Sequence, residues 1–412
     1  KKVFHPFDHN YICKLETFYI FALTILIVLF FCFLQLEMVF ELLLIILLIV
    51  ITYILYATNE NIRGYIDKNI LRKEITQSNL KSIEIKDYDK LNIFAYYNKI
   101  AILKDNTLSL YNQSAKKETD LKVEISTPIT YSCGRYFIIG EKGSSKVYLM
   151  KENEIVWEKN LEGNISRVTV NEAGYTAAVL TGTANKSVII VFDEKGTELF
   201  KYYLSKTIAI DLSISSDCKN LAFAEINTAG NLIQSNVKIL SVEKTKTAPD
   251  EALIYTYNAE QNSLILSLKY SYGNKLVCMY DDSIQLIKDN ADSKIVDITQ
   301  KENKITYYSI QLDNNVATVQ EESAGLLSTQ TTVKIINTSN QKQSEYKFEG
   351  VTRDLYTYGN NIALNLGSEI HFIRTNGWLV KKYTSSQEIR KIVLTDAIAG
   401  IVYRNKIEIV NL

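Results

Sequence analysis

The side chains able to do chemistry are few in this sequence and poorly placed to cooperate. Of three histidines, His5 and His9 sit near the start and His371 lies far downstream. His5 and His9 have the spacing that would put two metal ligands on one helix face, but Pro6 opposes a helix there and no third ligand accompanies them. His371 stands between Ile370 and Phe372, and strand alternation turns it away from the side those two bury, so a surface or interface histidine is expected. The five cysteines, Cys13, Cys32, Cys133, Cys218 and Cys278, form no CxxC motif. Neither a zinc site nor a disulfide framework is therefore expected. The acid pairs Asp281/Asp282 and Glu321/Glu322 are sequence neighbours that point apart, so solvated turns are expected rather than a glycosidase pair. Asp87 and Asp89 do not continue into a DxDxDG calcium loop. No GxSxG, HExxH, Walker A or GxGxxG pattern occurs. On these grounds no catalytic, cofactor or metal residue is assigned, and a non-enzymatic protein is expected.

The elements that would carry such residues are short strands. From about Ser82 onward, alternating segments rich in Val, Ile, Tyr and Phe are broken by Asn, Gly, Asp, Ser and Lys, with no amphipathic helix. One strand recurs eight times: TLSLY from Thr107, KVYLM from Lys146, SVIIVF from Ser187, NVKIL from Asn236, SIQLI from Ser283, TVKII from Thr332, EIHFI from Glu369 and KIEIV from Lys406. The copies follow one another every 37 to 49 residues. That period, with several strands in each repeat, is the signature of propeller blades. A turn and a strand precede each of the later copies, as in CGRYFIIG from Cys133 and YGNNIALNL from Tyr358. A weaker fourth strand follows some of them, as in EIVWEKNL from Glu154 and WLVKKY from Trp378. The last repeat stops after its third strand, which would leave an open edge. SIEIKDY (Ser82 to Tyr88) has the alternation to fill that place beside Lys406 to Val410. The predicted fold is all-β, an eight-bladed propeller with seven blades as the alternative.

Composition narrows the class further. Lys+Arg and Asp+Glu both number 46, so net charge is zero; a nucleic-acid partner, which normally meets a basic surface, is not expected. Three Pro, 16 Gly and 47% hydrophobic residues exclude a disordered or collagen-like chain. The apolar residues concentrate between Phe18 and Ala57, where two uncharged runs flank QLEMVFE (Gln35 to Glu41). A single helix of this length would be about twice as long as the hydrocarbon core is thick, so two short membrane helices are predicted. The expected organisation is a tail over 1–17, a transmembrane segment over 18–57, a linker over 58–81 and the propeller over 82–412. Lys and Arg flank the hairpin on both sides with none between, which by the positive-inside rule puts both flanks in the cytoplasm.

The blade series GRYFIIGEKGSSKVYLMKENEIVWEKNL, SVIIVFDEKGTELFKYYLSKTIAIDLSISSDCKNLAFAEINT and the closing KIEIVNL resembles a family of membrane-anchored propellers of clostridia and related Firmicutes. That family is catalogued as a domain of unknown function close to the quinoprotein-like and WD40-like propellers. The resemblance covers nearly all of the chain after about residue 80. It implies one anchor and an exported propeller, against the two spans and the cytoplasmic side read above; the extracytoplasmic side is given the greater weight. Cys218 departs from the pattern by occupying a turn where glycine is common. The quinoprotein likeness would imply a quinone held between a Trp and a vicinal disulfide, with calcium and a catalytic Asp. No adjacent cysteines exist here, and Trp157 and Trp378 fall in fourth strands, where Trp docks neighbouring blades, so no cofactor is expected.

Two insertions lengthen the loops between second and third strands, EINTAGNLIQSN (Glu225 to Asn236) and EESAGLLSTQTT (Glu321 to Thr332). By strand order both emerge on the same end of the ring, where propellers commonly recognise partners. Asn227, Asn231, Gln234, Glu322, Ser323 and Gln330 are the candidate partner-binding residues; simple elongated hairpins are the competing reading. The expected function is a membrane-anchored, non-catalytic binding or scaffolding module of the cell envelope. Its partners would be the lipid bilayer and an envelope protein. A quinoprotein-like oxidoreductase or ligand sensor using the central channel is the alternative.

Overall fold

A computed structural model describes residues 22–26, 41–56, 66, 80–86, 88–230, 233–260, 263–289, 291–299, 305–325 and 328–412. The chain divides into two compact units, Lys1–Leu71 and Arg72–Leu412. In the first, residues 22–26 and 41–56 are helical, and the apolar side chains from Leu42 to Leu55 are largely exposed. Among the described residues no helix is long and apolar enough to cross a membrane. Most of the first expected run (18–34), and residues 35–40 of the segment QLEMVFE that separates the two, lie outside the described residues.

The second unit is built from eight four-stranded antiparallel sheets. Blades 1 to 7 each use four consecutive strands, beginning at Asn92, Pro128, Asn164, Ile208, Ile265, Ile305 and Asp354. First strands of successive blades approach one another, as the pairs starting at Asn164 and Ile208 and at Ile208 and Ile265 do, so the first strands are innermost. Blade 8 takes Lys391–Leu394, Ile398–Val402 and Lys406–Asn411 from one end of the propeller and Lys81–Glu84 from the other. Ser82 stands opposite Glu408 and Ile83 opposite Ile407, which is the closure the sequence predicts. All eight third strands are where the repeat puts them.

The hydrophobic core is not central. It is split into eight clusters among the described residues, each shared by two adjacent blades. Second and third strands are covered on both faces, which is why a segment such as Ser187–Phe192 is buried along its whole length. This layout corrects two readings of the sequence. His371 is only 2% exposed, because the polar side of its strand is pressed against blade 6 instead of solvent. Trp157 docks on Phe192 of blade 3 as expected, whereas Trp378 is 60% exposed and lies just ahead of its strand Leu379–Thr384.

Inner strands are tied across blade boundaries by side chains reaching neighbouring backbone. The Tyr96 hydroxyl donates to Arg135 O at 2.8 Å, Asn171 Nδ2 to Ser215 O at 2.9 Å, and Asn361 Nδ2 to Thr395 O at 2.8 Å. Asp211 of blade 4 accepts from Ser267 Oγ at 2.6 Å and from Leu268 N at 2.9 Å, both on blade 5.

Candidate functional site: the central channel and its mouth

The first strands end in TYSC (130–133), VNE (170–172), KYS (269–271), QLD (311–313), YTYG (356–359) and TD (395–396). Because these ends all point the same way around the ring, their polar residues converge on one mouth of the channel. Lys269 is the cation there. Its Nζ donates to Gln311 O at 2.8 Å and Leu312 O at 3.3 Å and lies 4.0 Å from Asp313 Oδ1. Burial depresses its pKa, with Asp313, Cys133, Glu172 and Asp396 acting in opposition. Asp396 is pushed above the usual carboxylate range by burial and then by the charge of Asp313. Its carboxylate lies over Gly359, where an added Cβ would meet Oδ1 at 1.9 Å and where φ is +56°. Glycine is therefore required at that turn on two independent grounds.

A cavity of about 170 Å³ opens at this mouth against Tyr131, Cys133, Glu172, Lys269 and Asp313. A second, of about 360 Å³, lies against Phe94, Tyr131, Gln311, Tyr356, Tyr358 and Lys391 on the inner strands of blades 1, 2, 6, 7 and 8. Tyr131 borders both. Burial raises the pKa of Tyr131, Tyr356 and Tyr358, so their hydroxyls stay neutral. Lys391 Nζ donates to Ile93 O at 2.9 Å and sits 5.8 Å from the Phe94 ring centre; burial lowers its pKa.

The arrangement is suited to holding a small molecule, not to attacking one. Burial pushes the Cys133 thiol up to about 12, followed in importance by the charge of Glu172, so little thiolate exists at neutral pH. The Lys269 amine is pinned by two carbonyls. The residues do not fit the quinone arrangement: Trp157 is buried between blades 2 and 3, Trp378 lies on the outside, and Cys133, Cys218 and Cys278 sit on three different blades. Among the described residues no group of His, Cys, Asp and Glu is arranged to hold a metal ion.

Of the six candidates chosen from sequence, Asn227, Gln234, Glu322, Ser323 and Gln330 lie on the opposite end of the ring. Asn227 pairs with Gln234 across the blade 4 hairpin, and Glu322 with Gln330 across the blade 6 hairpin. Asn227 Oδ1 accepts from Ala229 N at 3.0 Å, and Ser323 Oγ donates to Gly325 O at 2.9 Å, so each braces its own turn. Asn231 lies outside the described residues. The insertions are thus elongated hairpins with strands such as Asn220–Asn227 and Asn315–Ser323. Asp281 and Asp282 likewise cap turns, accepting from Leu264 N at 2.8 Å and Ser263 Oγ at 3.0 Å. Lys269, Lys391 and the channel tyrosines were within reach of sequence reasoning only if first strands are aligned as second and third strands are.

Residues 71–412 match the family described as Family of unknown function (DUF5711). The chain belongs to that family. No curated protein matches this DUF5711 chain in sequence. Among solved structures it is similar to the C-terminal WD40 domain of Sif2, at 12% identity over 81% of this chain and 99% of that one, with a TM-score of 0.53. It is also similar to the dihydro-heme d1 dehydrogenase NirN in complex with DHE, at 10% identity over 82% and 78% of the two chains and a TM-score of 0.50. BamB from Moraxella catarrhalis matches at 12% identity over 82% and 99%, with a TM-score of 0.47. At such identities the likeness of a DUF5711 propeller to these proteins shows the fold alone.

Proposed function

We propose that this protein is a non-catalytic binding or scaffolding module of the cell envelope, anchored in the membrane by residues 18–57 with its propeller on the extracytoplasmic side. The observation carrying the scaffolding assignment is the pair of lengthened hairpins on blades 4 and 6. They stand on either side of blade 5, whose hairpin between Lys275–Tyr280 and Ser283–Lys288 is short. Two raised walls with a lower floor between them suit a protein segment laid across blade 5. Exposed Gln234, Glu322, Ser323 and Gln330 supply polar contacts, and Ile233, 52% exposed, supplies an apolar one. The anchor is supported by the exposed apolar helix over 41–56, since water does not tolerate so continuous an apolar surface.

Crosslinking in native cells, followed by identification of what co-purifies, tests the assignment. Shortening the blade 4 hairpin by removing 229–232 leaves Thr228 and Ile233 as a two-residue turn closing the Asn227–Gln234 pair and is expected to lose the recovered partner. An unchanged set of partners would discard the hairpin surface. For the side of the membrane, Ala229→Cys places a thiol on an exposed turn. Labelling by an impermeant maleimide in intact cells is expected, and labelling only after lysis would put the propeller inside.

A further inference from the structure

We propose that the 360 Å³ cavity of the central channel is a binding site for a small aromatic monocarboxylate, with Lys391 as the group that receives the carboxylate. This is independent of the hairpin surface, which lies at the end of the ring and not within it.

The two channel lysines differ in what remains of their hydrogen-bonding capacity. An ammonium has three donors. Lys269 spends its donors on two carbonyls and faces Asp313 besides. Lys391 makes one bond, to Ile93 O, and among the described residues no carboxylate forms an ion pair with it. Desolvation lowers its pKa, and what the chain sets against that is the Ile93 carbonyl and the face of the Phe94 ring, with no carboxylate among the described residues. A cation lining a cavity with donors to spare is most cheaply satisfied by an anion brought from outside.

The rest of the cavity narrows the anion. One ammonium matches one negative charge, whereas a phosphate group is normally held by an Arg fork or several convergent donors. Phe94, Tyr131, Tyr356 and Tyr358 supply aromatic walls for a ring, and Gln311 with the neutral tyrosine hydroxyls supplies polar contacts at its edge. The volume lies near the lower end of the range for ligand pockets, roughly 300–1,000 Å³, which suits one ring with a short substituent. A lysine that merely ties blade 8 to blade 1 is the competing account, and it predicts no preference for any ligand.

The test is calorimetric titration of the full chain with 4-hydroxybenzoate, with 4-hydroxybenzamide as the neutral isostere and acetate as a carboxylate without a ring. The acid is expected to saturate below about 10 mM, with the amide and acetate each at least tenfold weaker, and Lys391→Met is expected to weaken the acid about tenfold while Lys391→Arg retains it. Binding should also fall as pH rises and Lys391 loses its proton. Equal binding of acid and amide, undiminished binding by Lys391→Met, or no saturation by the acid would each overturn the proposal. Should Lys391→Met fail to fold, the acid-to-amide ratio in the wild-type chain decides alone.

Discussion

Replacing Ile83 by alanine tests the closure of the ring directly. Ile83 is 4% exposed and packs with Ile100, Ile102, Ile407 and Ile409 at the junction of blades 8 and 1. Truncating a buried Ile to Ala costs about 2–5 kcal/mol through lost transfer energy and the cavity left behind. For a unit the size of Arg72–Leu412, an unfolding entropy of about 2.1 cal/mol/K per residue gives about 0.7 kcal/mol/K, so the melting temperature should fall by about 3–7 °C. Lys81→Ala, at the exposed start of the same strand, should shift it by less than about 1 °C. Deleting 80–86 should do more than lower stability, because Lys406–Asn411 becomes an unpaired edge able to recruit another chain. Differential scanning fluorimetry with size-exclusion chromatography reads both effects. If Ile83→Ala melts with the wild type and the deletion stays monomeric, the strand is not part of the ring and the closure argument fails.

Three further outcomes follow from buried groups. Asp211 is held above the usual carboxylate range by burial, so ionisation opposes folding as pH rises past its unfolded value. Asp211→Asn should be at least as stable as wild type at pH 8, while Asp211→Ala, which orphans Ser267 Oγ and Leu268 N, should lose about 1–3 kcal/mol in urea titration. His371 has its pKa lowered by burial, against the pull of Glu369. The unfolded chain therefore takes up the proton first, and the stability His371 contributes is lost as pH falls below about 6.5; His371→Gln should flatten the urea midpoint between pH 8 and pH 5 relative to wild type. Cys133, with its thiol near 12, and fully covered Cys278 should react with a thiol reagent at pH 8 far more slowly in the native protein than after denaturation.

The third strands are legible in the sequence because they are sandwiched between blades and must be apolar at nearly every turn of the repeat. Their eightfold recurrence gives blade number, order and the need for an outside strand at Lys406–Asn411. What sequence does not convey is which polar position meets solvent. Gln285, His371 and Glu408 hold the same place in the third strands of blades 5, 7 and 8, yet each meets a tyrosine of the preceding blade's outer strand. Tyr346 OH lies 3.0 Å from His371 Nδ1, Tyr257 bonds Gln285, and Tyr383 donates to Glu408. Alternation marks such positions as polar, but the partner is another blade. First strands escape notice for a related reason. Asp354–Tyr358 and Ile305–Ser309 are half-buried throughout, since one side lines a channel, so neither periodic burial nor plain exposure marks them. The turn at Cys218 is the converse case: its φ of +61° fits the glycine-like position that the family resemblance implies.

Tying the ring with Lys81–Glu84 also imposes an order on its birth. That strand is among the first of the propeller to leave the ribosome, and its mate at Lys406–Asn411 is the last. At translation rates of roughly 5–20 residues per second, the early strand stays unmated for about 15–65 s while the intervening blades form. A nascent chain would need to keep Ile83 and Ile85 from pairing elsewhere during that wait, and the charges of Lys81, Glu84 and Lys86 interleaved with them serve as gatekeepers against such mispairing.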